Sequence, residues 1–167
     1  MKAHELTLTL LLAVASGLAA AHHGRLQDHT LRGTILDYGI YRTASAAFQH
    51  RVAHAAGAPA GIELIEATTI LPARAGIRFG FCVSVTGALE DGELDLVKVV
   101  SHPPLFTGDG QVSTGYEQEI ELIAAGGEAT ACIGHALESE IAALPGRWTI
   151  ALMAADQVVA AQVFELR

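Results

Sequence analysis

Three histidines near the amino terminus, His22, His23 and His29, form the set in this sequence that is best suited to holding a metal ion. Cleavage of the chain after Ala21 would leave His22 with a free amine, and amine and imidazole nitrogens both bind copper. A nitrogen-rich set of this kind prefers Cu(II) over Zn(II). The opposing interpretation is a tail in which these histidines have no role. We therefore expect no cofactor, with copper as the alternative.

A second histidine pair, His50 and His54, is spaced four residues apart. In a helix this spacing aligns both rings on one face, as a metal site requires. In a strand the two residues would share a face but lie about 13 Å apart. No third ligand stands at a diagnostic spacing, so the alternative interpretation is a solvated loop.

The two cysteines, Cys82 and Cys132, are predicted to form a disulfide. In an oxidising compartment a single pair indicates a disulfide more often than a metal or catalytic set. Closing a loop of this length stabilises a fold by roughly 4 kcal/mol in the chain-entropy estimate. Because Cys82 alternates with the phenylalanines beside it, we expect the bond on an outer face or at an edge of the sheet.

Signatures of enzymes are absent from the sequence. There is no Gly-x-Ser-x-Gly elbow, no His-Glu-x-x-His, no phosphate-binding loop and no dinucleotide fingerprint. Carboxylates such as Asp37, Asp95 and Glu121 are better explained by a solvated strand face. His102, which precedes two prolines, is expected to shape a loop, and Tyr116 is expected in the core. We therefore predict a protein that is not an enzyme; an unrecognised hydrolase would need a nucleophile and a base brought together by folding.

The first 21 residues have the features of an export signal. Lys2 supplies a positive charge, Leu6 to Ala15 is apolar, and small residues run from Ser16 to Ala21. The apolar run is too short for a membrane span, which needs about 20 residues. The predicted organisation is a signal peptide (1–21), a flexible leader (22–31) and one domain (32–167), located in the periplasm or secreted.

The charge of the chain is acidic, with a formal net charge of −8 at pH 7. Lys98 is the only lysine after the signal, and no cluster of Lys and Arg occurs. This composition argues against nucleic acid and against anionic membrane surfaces as partners.

The central element is predicted to be a strand that begins at Ile77. Phe79 and Phe81 alternate there with Gly80 and Cys82, which is the period of a strand with one face in the core. Gly80 indicates either a bulge or a close approach of two backbones. We expect Phe79 and Phe81 to share one core with Trp148.

The remaining elements are also read from periodicity and turn residues. Ile62 to Leu71 is predicted to be one strand, and Leu94 to Val100 a strand covered on both faces because it is apolar on both. His102 to Gly110 is predicted to be an irregular loop because of its two prolines, and Ala136 to Ala143 a short helix. Turn signals every 8 to 12 residues then predict an immunoglobulin-like antiparallel β-sandwich of seven or eight strands.

Three segments resemble a family of small exported bacterial proteins. They are Thr-Thr-x-Leu-Pro-Ala-x-x-Gly-Ile-x-Phe-Gly-Phe from Thr68, His-Pro-Pro from His102, and Leu-Pro-Gly-x-Trp-Thr from Leu144. Members of that family carry a single immunoglobulin-like domain of unknown function. The resemblance implies the fold and the compartment and no activity.

The sequence thus favours an exported, non-catalytic β-sandwich that works by binding. The partner is predicted to be an envelope protein, a glycan or a small ligand. A copper-binding protein that uses the mature amino terminus is the alternative, and an unrecognised hydrolase is the third hypothesis.

Overall fold

A computed structural model describes residues 31–43, 61–87, 89–106 and 110–167. In these ranges the chain forms β-strands and no helix, so no described helix could cross a membrane. The all-β prediction is confirmed, with nine strands in place of the seven or eight expected. They are β1 (Arg32–Thr43), β2 (Ile62–Glu66), β3 (Ile70–Leu71), β4 (Arg78–Thr86), β5 (Gly92–Phe106), β6 (Val112–Ala124), β7 (Glu128–Ala136), β8 (Gly146–Ala154) and β9 (Gln157–Leu166).

The strands form two sheets that pack as a sandwich. A four-stranded sheet has the order β2-β1-β4-β7, and a five-stranded sheet has the order β3-β9-β8-β5-β6. Neighbouring strands are antiparallel except β3 and β9, which are parallel. The predicted sandwich is therefore present, and each sheet has an inner face toward the core and an outer face.

Aromatic side chains from both sheets meet in the core. Phe79 on β4 makes edge contacts with Trp148 on β8 and Phe164 on β9, at ring-centroid distances of 5.9 and 5.1 Å. Edge-to-face packing of this kind adds to the stability that apolar burial supplies. The indole N–H of Trp148 donates to the carbonyl oxygen of Leu144 at 3.0 Å, so its polar atom is satisfied. Phe81 is also fully buried.

Gly80 marks a close approach of two backbones. The pairing of β4 with β7 runs through Gly80 without a register shift, so no bulge occurs in that ladder. A Cβ atom at this position would lie 2.0 Å from the carbonyl oxygen of Ile133. Only glycine fits without moving the neighbouring strand.

The prediction of a single strand from Ile62 to Leu71 is wrong, because this segment forms two strands. The chain forms β2 in the four-stranded sheet and then β3 in the five-stranded sheet. Between them the hydroxyl of Thr68 accepts a hydrogen bond from the N–H of Ile70 at 3.1 Å. This local bond supports the turn by which the chain changes sheets.

The predicted loop from His102 to Gly110 is wrong over its first part, because β5 continues to Phe106. The register against β6 shifts between Ser101 and Leu105, which brackets Pro103 and Pro104. Proline has no N–H to donate to the neighbouring strand. The bulge interrupts the pairing at the two prolines, and the pairing continues after them.

The helix predicted for Ala136 to Ala143 is not formed. β7 ends at Ala136, and the N–H of Leu137 donates to the carbonyl oxygen of Ile77 at 2.9 Å. The side chain of Leu137 is buried in the core. Tertiary hydrogen bonds and burial therefore override the helix propensity of the alanines.

Candidate functional site

The outer face of the five-stranded sheet carries small apolar side chains across three adjacent strands. Register places Val97 of β5 opposite Met153 of β8, and Met153 opposite Val158 of β9. Val158 is 56% exposed. We call this set the apolar patch; it consists of Val97, Val99, Ala151, Met153, Val158, Ala161 and Val163.

No described element covers the apolar patch. The prediction that Leu94 to Val100 is covered on both faces is therefore wrong for its outer face. Leu96 and Val100 are buried against the other sheet, whereas Val97 and Val99 are only half-buried. An antiparallel sheet with one solvated face normally alternates apolar inside with polar outside. The apolar outer face departs from that pattern, and exposed apolar patches mark interaction sites.

A line of carboxylates borders the apolar patch on the β6 side. Glu121 lies directly opposite Asp95, while Glu119 and Glu117 lie opposite Val97 and Val99. Glu117, Glu119, Glu121 and Asp95, which we call the carboxylate row, are all exposed. The ion pair found in the described part of the chain joins Arg42 to Glu63 on the other sheet. The row is therefore not neutralised by an ion pair within the described residues, and like charges opposite each other repel.

A groove of about 410 Å³ lies where the carboxylate row meets the patch. Asp95, Val97, Glu119 and Glu121 line it, together with Ala155 in the turn between β8 and β9. Ala155 has a φ of 48°, which is uncommon for a residue with a Cβ atom. The groove gives this sheet face a concave, acidic corner.

Polar side chains also meet between the sheets, near the outer strands β6 and β7. The ammonium group of Lys98 donates to the carbonyl oxygen of Gly134 at 3.3 Å and lies 5.4 Å from the ring centroid of Tyr116. The hydroxyl of Tyr116 and Nδ1 of His135 share a hydrogen bond of 3.0 Å. We call Lys98, Tyr116 and His135 the interior polar cluster.

Burial governs the ionisation of the interior polar cluster. It lowers the pKa of Lys98 to about 8 and raises the pKa of Tyr116 to about 12. The pKa of His135 falls to about 4, first because of burial and then because of the charges of Lys98 and His102. At neutral pH the imidazole and the phenol are therefore uncharged, and Lys98 is largely protonated.

The interior polar cluster does not have the composition of a hydrolase site. Its recorded contacts join an amine, a phenol, an imidazole and a backbone carbonyl. Acyl-transfer sites instead pair a nucleophile with a base that a third group orients. Within the described part of the chain, the contacts of His135 are with Tyr116, Phe79 and Trp148, and none is a carboxylate, Ser or Cys.

The prediction for His102, beside this cluster, needs correction. His102 lies within β5, not in a loop, and its ring is 4.9 Å from that of Trp148. Its Nδ1–H donates to the carbonyl oxygen of Pro103 at 2.7 Å. Tyr116 is half-buried and packs against the core, as predicted, with its hydroxyl on His135. The inward position of Lys98 could have been predicted from the sequence. Lys98 is two residues from both Leu96 and Val100, so it shares their inner face of the strand.

The structure contains the predicted disulfide between Cys82 and Cys132, which lie directly opposite each other on β4 and β7. Their Cα atoms are 3.9 Å apart. The bond lies on the outer face of the four-stranded sheet, where Tyr41 packs beside it. The hydroxyl of Tyr41 donates to Asp37, and burial together with that carboxylate raises the pKa of Tyr41.

Several predicted residues lie outside the described ranges. They are the signal peptide, His22, His23 and His29 of the copper hypothesis, and His50 and His54.

The residues predicted to share the core, Phe79, Phe81 and Trp148, are all buried in one cluster.

Comparisons with known proteins agree with this architecture. The family described as a domain of unknown function (DUF3859) matches residues 31–166. A crystal structure of an immunoglobulin-like protein from Pseudomonas aeruginosa has a TM-score of 0.60 and 21% sequence identity, covering 83% of this chain and 97% of that one. That likeness shows the immunoglobulin-like fold. No curated protein matches the chain in sequence.

A further solved structure is less similar. A β-glucosidase from Kluyveromyces marxianus has a TM-score of 0.39 and 10% identity, covering 83% of this chain and 14% of the enzyme.

Proposed function

The chain belongs to the family described as a domain of unknown function (DUF3859), and from the features of its surface we propose that it binds another protein of the cell envelope. The binding surface in this proposal is the outer face of the five-stranded sheet. The protein is exported and works without catalysis.

The observation that carries this proposal is the apolar patch, which no described element covers. Val158 and Val163 are 56% and 37% exposed although both lie on β9, which pairs with β8 along its length. Removing such side chains from water contributes about 25 cal/mol per Å² of apolar area. A partner that covers the patch therefore gains stability that the isolated domain does not have.

The composition of the surface favours a protein partner over a glycan or a small ligand. Small-molecule sites are lined by apolar and, in particular, aromatic side chains. The apolar patch lies on a sheet face and contains valine, alanine and methionine but no aromatic residue. Trp148 and Phe164, on the same strands, point into the core.

Site-specific photo-crosslinking in the native host tests the proposal. A photoreactive amino acid at position 161, within the patch, should give one discrete protein adduct that mass spectrometry identifies. The same amino acid at Thr34, exposed on the four-stranded sheet, is the matched control and should give none.

The partner so identified should then bind the purified domain, and Ala161→Lys should abolish binding. Thr34→Lys adds the same charge on the other sheet and should leave the affinity unchanged. Equal cross-linking from both positions, or undiminished binding by Ala161→Lys, would contradict the proposal.

A further inference from the structure

The outer edge of β6 is the longest strand edge that the described sheets leave unpaired. β6 is the last strand of the five-stranded sheet and, among the described strands, pairs with β5 alone. The opposite edge, β3, has two residues, and the edge strand β2 of the other sheet has five, whereas β6 has 13. On the remaining edge strand, β7, the carbonyl oxygen of Gly134 accepts a hydrogen bond from Lys98.

This edge is protected by charge and not by bulges or prolines. Proteins guard long edges with bulges, prolines or charged side chains. From Gly115 to Ala124 the register of β6 against β5 is continuous, so no bulge interrupts it. This stretch contains no proline. It does carry Glu117, Glu119 and Glu121 at alternate positions on the outer face.

The alternating carboxylates select among the strands that could pair here. A second copy of β6 would place glutamates near glutamates, and like charges across strands destabilise pairing. A strand with Lys or Arg at alternate positions would instead place a cation beside each carboxylate. Opposite charges across strands contribute roughly 0.2–1 kcal/mol per pair.

We propose that the partner docks by adding a basic strand to the outer edge of β6. Main-chain hydrogen bonds would supply affinity, and pairing of its cations with Glu117, Glu119 and Glu121 would supply specificity. This inference rests on the proposed function and names the partner's chemistry. The carboxylates share the outer face with the apolar patch, so the rest of the partner would cover that patch.

Three blocked eight-residue peptides test the inference by isothermal titration calorimetry at low ionic strength. The first alternates Lys with Thr and Val, and the second replaces each Lys with Glu. The third is the Lys peptide with N-methyl groups on the backbone amides of one edge, which removes donors but keeps every side chain. Only the first should bind measurably.

Two charge-reversed proteins localise the site. Glu117→Lys combined with Glu119→Lys should weaken the binding of the Lys peptide by about tenfold or more. Glu66→Lys combined with Glu138→Lys changes the net charge equally at two exposed positions away from β6, and should leave binding unchanged. Circular dichroism confirms that both variants are folded.

Failure of this inference is distinguishable from failure of the proposed function. Equal binding of the N-methylated and unmethylated peptides would overturn strand addition, as would equal binding of the Lys and Glu peptides or no binding at all. Equal loss in both charge-reversed proteins would also overturn it. None of these results affects cross-linking from position 161, which tests the apolar patch alone.

Discussion

The ammonium nitrogen of Lys98 lies 3.3 Å from the carbonyl oxygen of Gly134, so a charged group of one sheet is held by the backbone of the other. The stem of Lys98 is buried among core residues, and its exposed fraction is 1%. A long apolar stem that ends at a polar acceptor is how lysine tolerates burial. The nearby ring of Tyr116 adds a cation–π contact.

Replacing Lys98 with methionine should remove a pH dependence of stability. The pKa of Lys98 in the folded protein is about 8, below its ordinary value of 10.5. Between these values the unfolded chain binds the proton and the folded chain does not, so stability should rise with pH. The full difference corresponds to roughly 3 kcal/mol. Urea unfolding at pH 7, 8, 9 and 10 measures it.

Lys98→Met should lack this rise and should be more stable than the wild type at pH 7 by about 1–3 kcal/mol, since it removes a buried charge. Lys98→Ala is the control: it also loses the slope but leaves a cavity, so it should be less stable than Lys98→Met. A wild-type stability that does not change from pH 8 to 10 would contradict the assignment.

His135 should make the protein sensitive to mild acid. Its pKa in the fold is about 4, below the ordinary 6.5, mainly because of burial. From pH 6.5 down to 4 the unfolded chain takes up a proton that the folded chain excludes, so stability is lost as pH falls through this window. The loss approaches roughly 3 kcal/mol at pH 4. Urea unfolding at pH 7 and 4.5 measures it.

His135→Gln should lose most of this acid sensitivity while keeping a hydrogen-bonding group near Tyr116. Tyr116→Phe removes the phenol but leaves His135 buried, so it should keep the sensitivity. If both variants show the same pH dependence as the wild type, the acid response belongs to other groups.

Local sequence patterns predicted the architecture because the sandwich is built from alternating strands. Phe79 and Phe81 alternate with Gly80 and Cys82, and that period fixes which face enters the core. The outer-face position of the disulfide follows from the same alternation. The exchange of sheets between Glu66 and Ile70 could not be predicted in this way, because both halves are extended and only pairing distinguishes them.

The candidate surface could be predicted only in part. Glu117, Glu119 and Glu121 were recognisable as one strand face, but their place on a sheet edge depends on strand order. The apolar outer side of β5 predicted a covering layer, and only the structure shows that no described element supplies one. The contact between Tyr116 and His135 joins strands of opposite sheets, which no local pattern encodes.

Phe81→Ala should cost about 3–5 kcal/mol in the free energy of unfolding, because it empties a fully buried site. Val158→Ala removes an exposed side chain from the same sandwich and should change stability by less than about 0.5 kcal/mol. Denaturant unfolding of both variants measures the difference. A loss below about 1 kcal/mol for Phe81→Ala would show that the strand register is wrong.

The disulfide between Cys82 and Cys132 should be formed in protein from the native host and should contribute strongly to its stability. The cysteines are 50 positions apart, and bridging them restricts the unfolded chain by roughly 4 kcal/mol in the chain-entropy estimate. Cys82→Ala combined with Cys132→Ala should therefore unfold at a lower denaturant concentration. Both cysteines are buried, so the thiol assay needs denatured protein. Unreduced protein from the native host should show no thiol, and reduction should release two; two thiols before reduction would disprove the bond.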